Sequence, residues 1–168
     1  RVDGIILLGQ QLMPETYDRI VDWDVPMLSV TQSPNAGERD IPSIDLDWTE
    51  LYRQAIQHLK DNGHTRIGYM TDAESSCYHV NRLQSFQEAM RAEVLALQQD
   101  ALLSGGGRLE NASGIFQRYV EKHPGELPIT AMICSNDLMA TGVLDGCKRK
   151  GILVPSQLAI LGSEDILM

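Results

Sequence analysis

Short apolar runs alternate with amphipathic stretches along the chain, and this alternation recurs four or five times. The runs are typical of buried parallel strands, and the stretches between them have the spacing of helices with one apolar face. Seven strands are predicted, at residues 2–8, 27–31, 43–46, 66–71, 101–104, 130–134 and 158–161. From residue 64 to 165 the elements follow the order βαβαβαβ. This order predicts an α/β fold with doubly wound parallel sheets.

Capping residues and breakers mark the helices between these strands. Pro14 can open a short helix that ends before Pro26, and Asp47 or Thr49 can cap a second helix that stops at Gly63. The apolar face of this second helix is predicted to carry Leu51, Ala55, Ile56 and Leu59. The last helix is predicted over residues 137–150, where Gly151 ends it.

Composition places the chain among globular proteins with a full core. It has 168 residues, of which 43% are hydrophobic, enough for one domain or a domain and part of another. The 14 Lys and Arg against 23 Asp and Glu give a net charge of -9, which disfavours a nucleic-acid-binding surface spread over the domain. No apolar stretch approaches the roughly 18 residues of a membrane span, so we expect no membrane partner.

The three cysteines are odd in number, lie far apart and form no CxxC pair. Neither a disulfide framework nor a zinc site is indicated, and a reducing cytoplasm is the expected location. The chain opens RVDGIILL, as a strand already under way, without a signal-peptide pattern, and it ends directly after a strand. We therefore expect the sequence to be part of a longer protein whose other segments complete its sheets.

Polar side chains follow three of the predicted strands. In open parallel sheets a ligand binds beyond the carboxyl ends of the strands. Residues 75–82, 135–137 and 163–165 follow the strands 66–71, 130–134 and 158–161, and include hydroxyl, amide, carboxylate and guanidinium groups. Such a set can satisfy a sugar or another small polar metabolite.

Each of these side chains also has a purely structural interpretation. Asn136 or Asp137 could simply cap a helix, Arg82 could be solvated, and Glu164 could open a following helix. Catalytic and metal-binding motifs such as GxSxG and HExxH do not occur, and the turn Gly105–Gly107 lacks the pattern of a phosphate-binding loop. We therefore predict no catalytic residues, no metal and no cofactor.

The predicted helix 137–150 has two apolar faces. Met139, Val143 and Cys147 form one stripe. Leu138, Thr141 and Leu144 lie on the opposite side. Two apolar faces predict that the helix is buried on two sides, so the second face is a candidate subunit interface. The alternative is that its leucines are simply exposed at the surface.

Several motifs resemble one family of bacterial transcription regulators. They are HLKDNGHTRIGYM, NRLQSFQEAM, TAMICSNDLMATGVLDGCKRKGILVP and LAILGSED, preceded by VDGIIL near the start. In this order and spacing they resemble the effector domain of the lactose/galactose repressor (LacI/GalR) family, and most closely its catabolite-control type. The resemblance covers nearly the whole chain.

The resemblance implies a periplasmic-binding-protein-like fold (type I) with two lobes. Residues 1–62 would belong to an incomplete N-terminal lobe and residues 63–168 to the C-terminal lobe. It also implies a cytoplasmic homodimer, with helix 137–150 at its interface. A small-molecule effector would bind between the lobes and control operator DNA binding by a helix-turn-helix outside this sequence, and a protein corepressor is an alternative partner.

The same resemblance assigns residues to effector binding. By position, Arg82 matches the family's effector-contacting arginine, Asn136 its Asn-Asp pair and Glu164 its strand-end carboxylate. Further family contacts match Ser76, Tyr78 and Glu50. The sequence departs from the family at Glu164, where Asp is usual, at Ser85, where Gly is usual, and at Leu109, where several members place an aromatic ring. A stacked sugar or purine is therefore not a firm expectation.

Two other classes of protein share this fold. A solute-binding protein of a sugar transporter would carry an export signal, and an enzyme would turn over its ligand. Fold alone does not decide among the three. The regulator is the preferred interpretation because polar residues gather at three strand ends without a catalytic signature.

Overall fold

The computed structural model describes residues 2–8, 19–20, 22–23, 25–30, 41–44, 46–72 and 77–166, without the side chains of residues 8 and 77–80. The chain forms two compact units, residues 1–47 and residues 48–168. Most of the helix predicted to begin at Pro14 lies outside the described residues, although Arg19 and Ile20 are helical.

The first unit contains a small parallel sheet. Its strands are β1 (Ile5–Leu8), β2 (Met27–Val30) and β3 (Ser43–Ile44), in the order β1-β2-β3. Ile20 and Ile41 are buried against Leu7 and Met27. The three strands predicted in this region are confirmed.

The second unit alternates helices and strands. Its elements are α1 (Trp48–Asp61), β4 (Ile67–Thr71), α2 (Cys77–Ala92), β5 (Leu102–Ser104), α3 (Leu109–Lys122), β6 (Ala131–Cys134), α4 (Asp137–Lys150) and β7 (Ala159–Leu161). The four strands pair in parallel in the order β5-β4-β6-β7. The predicted α/β fold with parallel sheets is confirmed.

Helices cover both faces of the four-stranded sheet. Ile67 and Tyr69 of β4 face a core with Phe86 of α2. Met70, the next residue of β4, faces a second core with Phe116 of α3. Every residue of β4 and β6 is buried, because side chains pointing either way meet a helix. This two-sided burial explains why these strands appear in the sequence as continuous apolar runs.

The register of α1 differs from the prediction for one residue. Leu51 is 43% exposed, whereas Tyr52 is only 3% exposed. The core-facing stripe combines Tyr52, Ile56 and Leu59, so that the hydrophobic Leu51 lies off the core face. An exposed leucine is ordinary on a protein surface. Tyr52 takes the buried position instead, because its ring is large and apolar and its hydroxyl can form a hydrogen bond in the core.

Helix α1 packs against α2 and shares its core. The second compact unit therefore begins at Trp48. The boundary predicted from sequence, between residues 62 and 63, divides the two lobes implied by the family resemblance, and it stays a prediction. Apolar contacts decide the compact unit, because the stripe of α1 is buried against β4 and α2. In the ranges that the structure describes, we find no helix both long and apolar enough to cross a membrane.

Candidate functional site

Asp72, the first residue after β4, is the centre of a polar cluster at the carboxyl edge of the larger sheet. Ser135 Oγ donates to Asp72 Oδ2 at 3.0 Å, and Asn136 Nδ2 donates to Asp72 Oδ1 at 3.5 Å. The Ser104 hydroxyl, at the end of β5, donates to the Asp72 backbone carbonyl at 3.1 Å. The carboxyl ends of three adjacent strands thus meet at Asp72, as expected in a parallel sheet, where all strands end at the same edge.

Arg82 reaches this cluster from the second turn of α2. Its side chain is 5% exposed, and its Nη1 lies 3.9 Å from Asp72 Oδ2. The same Nη1 donates to the Ser135 carbonyl at 2.6 Å. The guanidinium carbon also lies 4.1 Å from the ring centroid of Trp48, a cation–π contact. A buried guanidinium near a helix N-terminus is unfavourable by itself, and the Asp72 carboxylate and the indole face compensate for it.

Asn136 serves both the helix and the cluster. Its Oδ1 accepts from the Met139 backbone N–H at 2.8 Å, so it is the N-cap of α4. Its Nδ2 points towards Asp72. Gly107, in the turn after β5, has a φ of +73°, and a Cβ there would lie 3.4 Å from Asp72 Oδ1. The predicted capping role of Asn136 is confirmed, and it leaves the amide group directed into the cluster.

Asp137 organises the loop after β7. Its Oδ1 accepts from the backbone N–H groups of Ser163 at 2.7 Å and Glu164 at 3.1 Å. Its Oδ2 accepts from the Ile166 N–H at 3.0 Å. Partial burial works against the charged form, but these backbone donors outweigh it and lower the pKa of Asp137. The Ser163 hydroxyl, in turn, donates to the Ser135 carbonyl at 2.8 Å, which ties this loop to the Arg82 cluster.

The predicted binding residues other than Glu50 fall into three groups. Arg82 and Asn136 meet at Asp72. Glu164 lies on the neighbouring loop, anchored through its backbone, and is exposed. Ser76 lies outside the described residues, and Tyr78 is described only as part of the backbone of α2.

Glu50 lies in the first turn of α1. It accepts from Arg53 Nε at 2.7 Å and from Gln54 Nε2 at 2.9 Å. The hydrogen bonds from Arg53 and Gln54 lower the pKa of Glu50 to about 2. The group is therefore ionised at neutral pH, with side-chain partners on its own helix.

Three residues of the cluster did not emerge as binding candidates from the sequence: Asp72, Ser104 and Trp48. A polar residue directly after a predicted strand was the signal that identified the other candidates. Asp72 is the first residue after β4, so the same signal could have identified it. Ser104 ends a strand whose following turn is rich in glycine. Trp48 carried no signal, because its contact with Arg82 joins segments 34 residues apart in the chain only through the packing of α1 on α2.

The cluster offers hydrogen-bonding chemistry. Its groups are a carboxylate, an amide, hydroxyls and a guanidinium, which suit a ligand with several hydroxyl groups. In the part of the chain that the structure describes, no three His, Cys, Asp or Glu residues are grouped to hold a metal ion.

The outer face of α4 borders a shallow groove of about 510 Å³. Thr141 and Leu144 line it together with Val154, Ile160 and Ile166. Leu138 is 41% exposed, whereas Met139, Val143 and Cys147 of the opposite stripe have no exposed surface. The predicted inner stripe of this helix is confirmed, and its outer face is apolar at Leu138 and along the groove.

Comparisons with known proteins define the class. A model of the periplasmic binding protein-like domain matches residues 56–168. The chain belongs to this family. A regulatory protein of the LacI family from Chloroflexus aggregans is 28% identical and superposes with a TM-score of 0.81, over 98% of this chain and 57% of that one.

Curated relatives give the same assignment. The HTH-type transcriptional repressor PurR of Haemophilus influenzae (strain PittEE) is 29% identical over 99% of this chain and 48% of its own length. The repressor CytR of Escherichia coli (strain K12) is 28% identical over 99% of this chain and 47% of its own length. The chain thus spans about half the length of these relatives. The predicted resemblance to the effector-binding domain of LacI-family regulators is confirmed.

Proposed function

We propose that the chain is the effector-binding and dimerisation core of a transcriptional repressor. The observation that carries this proposal is the convergence of Arg82 and Asn136 on Asp72 at the carboxyl edge of the sheet. Ligands of open α/β sheets bind at such an edge. The ligand is a small polar metabolite resembling a sugar, held by Arg82, Asn136 and Glu164 with Ser76, Tyr78 and Glu50 as further contacts.

The mechanism is allosteric. The effector binds between an N-terminal lobe and a C-terminal lobe and favours one angle between them. That angle sets the spacing of two DNA-reading domains that lie outside this sequence, and so the affinity for operator DNA. A coupling of about 1–3 kcal/mol is typical of such a switch. No covalent step is involved, and the protein acts in the cytoplasm with operator DNA or a protein corepressor as its partner.

Ligand binding is tested by calorimetry of the purified protein against sugars, phosphosugars and nucleobases. Arg82→Ala should abolish the binding of any ligand that is found. Arg91→Ala is the matched control, because Arg91 lies in the last turn of the same helix and is exposed. Equal binding by wild type and Arg82→Ala would contradict the proposed site.

Regulation is tested on the protein with its preceding segment, by measuring operator affinity with and without that ligand. A change of roughly 5- to 150-fold is expected from the coupling energy. An unchanged operator affinity would contradict the switch. Turnover of the ligand would instead favour an enzyme, and an export signal in the preceding segment would favour a transporter's solute-binding protein.

The dimer is proposed to form through the outer face of α4, with Leu138, Thr141 and Leu144 at its centre. Leu138→Asp should convert the dimer to a monomer in analytical ultracentrifugation, because a carboxylate at an apolar interface is left without a partner. Leu51→Asp is the control, since Leu51 is 43% exposed and Leu138 41% exposed. Dissociation by both variants, or by neither, would contradict this interface.

A further inference from the structure

We infer that Asp72 makes the site selective for uncharged ligands, because it supplies within the protein the anion that Arg82 would otherwise take from a ligand. The site should therefore accept hydroxyl-rich molecules without a phosphate or carboxylate group. This inference rests on the proposed function, and it assigns a specificity role to a residue that the sequence motifs did not single out.

The geometry of Asp72 supports this role. Its side chain is 14% exposed, so it lies at the surface of the cluster and not deep in the core. Oδ2 receives the Ser135 hydroxyl at 3.0 Å and faces Arg82 Nη1 at 3.9 Å. An incoming phosphate that sought Arg82 would place its own oxygens within a few ångströms of this carboxylate.

The energy of repulsion between a phosphate and the Asp72 carboxylate at that distance is large compared with the energy of an ordinary hydrogen bond. Two unit charges about 4 Å apart in a partly buried site interact strongly enough to change an affinity by orders of magnitude. A neutral hydroxyl group meets no such penalty, and it can donate to a carboxylate oxygen while accepting from an amide. The Asp72 carboxylate and the Asn136 amide, joined at 3.5 Å, offer that pair of groups.

The surroundings add further negative charge. Asp137, next to Asn136, has a lowered pKa because its backbone donors prevail over its partial burial, and it is ionised at neutral pH. Glu164, held to Asp137 through its backbone N–H, is exposed beside it. The chain as a whole carries a net charge of -9, which also disfavours the approach of anions.

The inference is tested with inorganic phosphate as the probe, at constant ionic strength, by calorimetry of the full chain. Wild type should show no saturable binding at millimolar phosphate. Asp72→Asn keeps the shape and removes the charge, and it should bind phosphate on the order of tenfold or more tightly than wild type. Adding Arg82→Gln to Asp72→Asn should abolish the gain, because the released guanidinium is the expected binding group.

Two controls isolate the charge of Asp72. Asp72→Glu keeps a carboxylate and should exclude phosphate as wild type does. Arg108→Gln in the Asp72→Asn background removes an exposed arginine just beyond Gly107 and should leave the gain intact. If Asp72→Asn does not fold, as judged by circular dichroism, Asp72→Ser provides the same comparison. Saturable phosphate binding by wild type, or a gain that survives Arg82→Gln, would overturn the inference.

Matched pairs of neutral sugars and their phosphate esters separate this inference from the proposed function. Binding of the neutral members alone, with the esters admitted by Asp72→Asn, supports both. Equal or tighter binding of the esters by wild type overturns the selectivity and leaves the proposed function standing. Failure of every sugar, together with the expected phosphate result, overturns the proposed effector and leaves the electrostatic role of Asp72 standing.

Discussion

Asp137 and Gly162 are matched across the edge of the sheet: a Cβ at residue 162 would overlap Asp137 Oδ1. Because residue 162 has no side chain, the carboxylate can accept the Ser163 and Glu164 backbone N–H groups on the same oxygen. The loop after β7 is thereby fixed to the start of α4. Glu164, a predicted effector contact, owes its position to this arrangement.

Gly162→Ala should displace the carboxylate and release the loop. We expect a loss of about 1–3 kcal/mol in the free energy of unfolding, because overlap at a packed position forces neighbouring groups to move. Urea unfolding measures it. Gly4→Ala is the control, since the added Cβ would lie 3.5 Å from the Pro26 carbonyl, an ordinary contact. Equal stability of Gly162→Ala and wild type would contradict the matched fit.

Asp137 should contribute stability that depends on pH. Its pKa in the folded chain is lowered, because the donated backbone N–H groups outweigh the opposing effect of burial. The contribution should be fully present above the unfolded pKa of about 3.9 and should be lost as the pH falls through the lower folded pKa. Asp137→Asn should thus cost about 1–2 kcal/mol at pH 7 and progressively less in acid.

Urea unfolding of wild type and Asp137→Asn at neutral and acidic pH measures this difference. Glu126→Gln is the charge-matched control, because Glu126 is 82% exposed and paired with Arg66 at the surface. Such exposed pairs contribute little. A penalty for Asp137→Asn that stayed constant with pH would show that the charge is not the cause.

The hydroxyl groups of Tyr52 and Tyr69 form a buried pair 2.6 Å apart. Burial raises the pKa of Tyr52 to about 12, so the hydroxyl stays protonated and the pair remains a neutral hydrogen bond. Tyr69→Phe should destabilise the chain by about 1–3 kcal/mol, since it leaves the Tyr52 hydroxyl buried without this partner. The double variant with Tyr52→Phe should cost less than the sum of the two single changes.

Thermal or urea unfolding of the four proteins gives this double-mutant cycle. Tyr119→Phe provides the contrast, because the Tyr119 hydroxyl is buried and has no hydrogen-bond partner among the described residues. Its removal should be neutral or stabilising. Strict additivity at Tyr52 and Tyr69 would contradict the proposed coupling.

Gly142 allows α3 and α4 to approach closely. An added Cβ would overlap the Leu109 carbonyl oxygen and lie 2.7 Å from Ala112 Cβ. Gly142→Ala should therefore lower the free energy of unfolding by about 1–3 kcal/mol, although alanine is the better helix former. Gly114→Ala in α3 is the helical control: its Cβ would meet Arg118 Nη1 at 3.6 Å, and the change should stabilise by up to about 1 kcal/mol. Chemical unfolding of both variants measures the contrast, and a stabilised Gly142→Ala would refute the close approach.

Much of the fold could be predicted from the sequence, because a strand that is buried on both faces has a continuous run of apolar residues. The continuous apolar runs of β4 and β6 could be recognised as parallel strands, and the intervening helices as their crossovers. The inner stripe of α4, with Met139 and Val143, was equally clear. The carboxyl edge of the sheet as the region of polar convergence also followed, since all strands of such a sheet point the same way.

Contacts between side chains of segments far apart in the chain could not be predicted in this way. The sequence placed Arg82 and Asn136 at one edge, but Asp72 became their common partner only through the order β5-β4-β6-β7, which brings the ends of β4 and β6 side by side. The same applies to Trp48, which reaches Arg82 because α1 packs on α2.

The sequence by itself therefore determined the parallel α/β architecture, the end of α4 at Gly151 and the family. The tertiary structure decided that Tyr52 rather than Leu51 faces the core and that Asp137 fixes the loop of Glu164. It also decided that the Asp72 carboxylate is the anionic partner of Arg82. The physical reason is that periodicity and capping depend on neighbours in the chain, whereas charge pairing and close packing depend on distances between segments far apart in sequence.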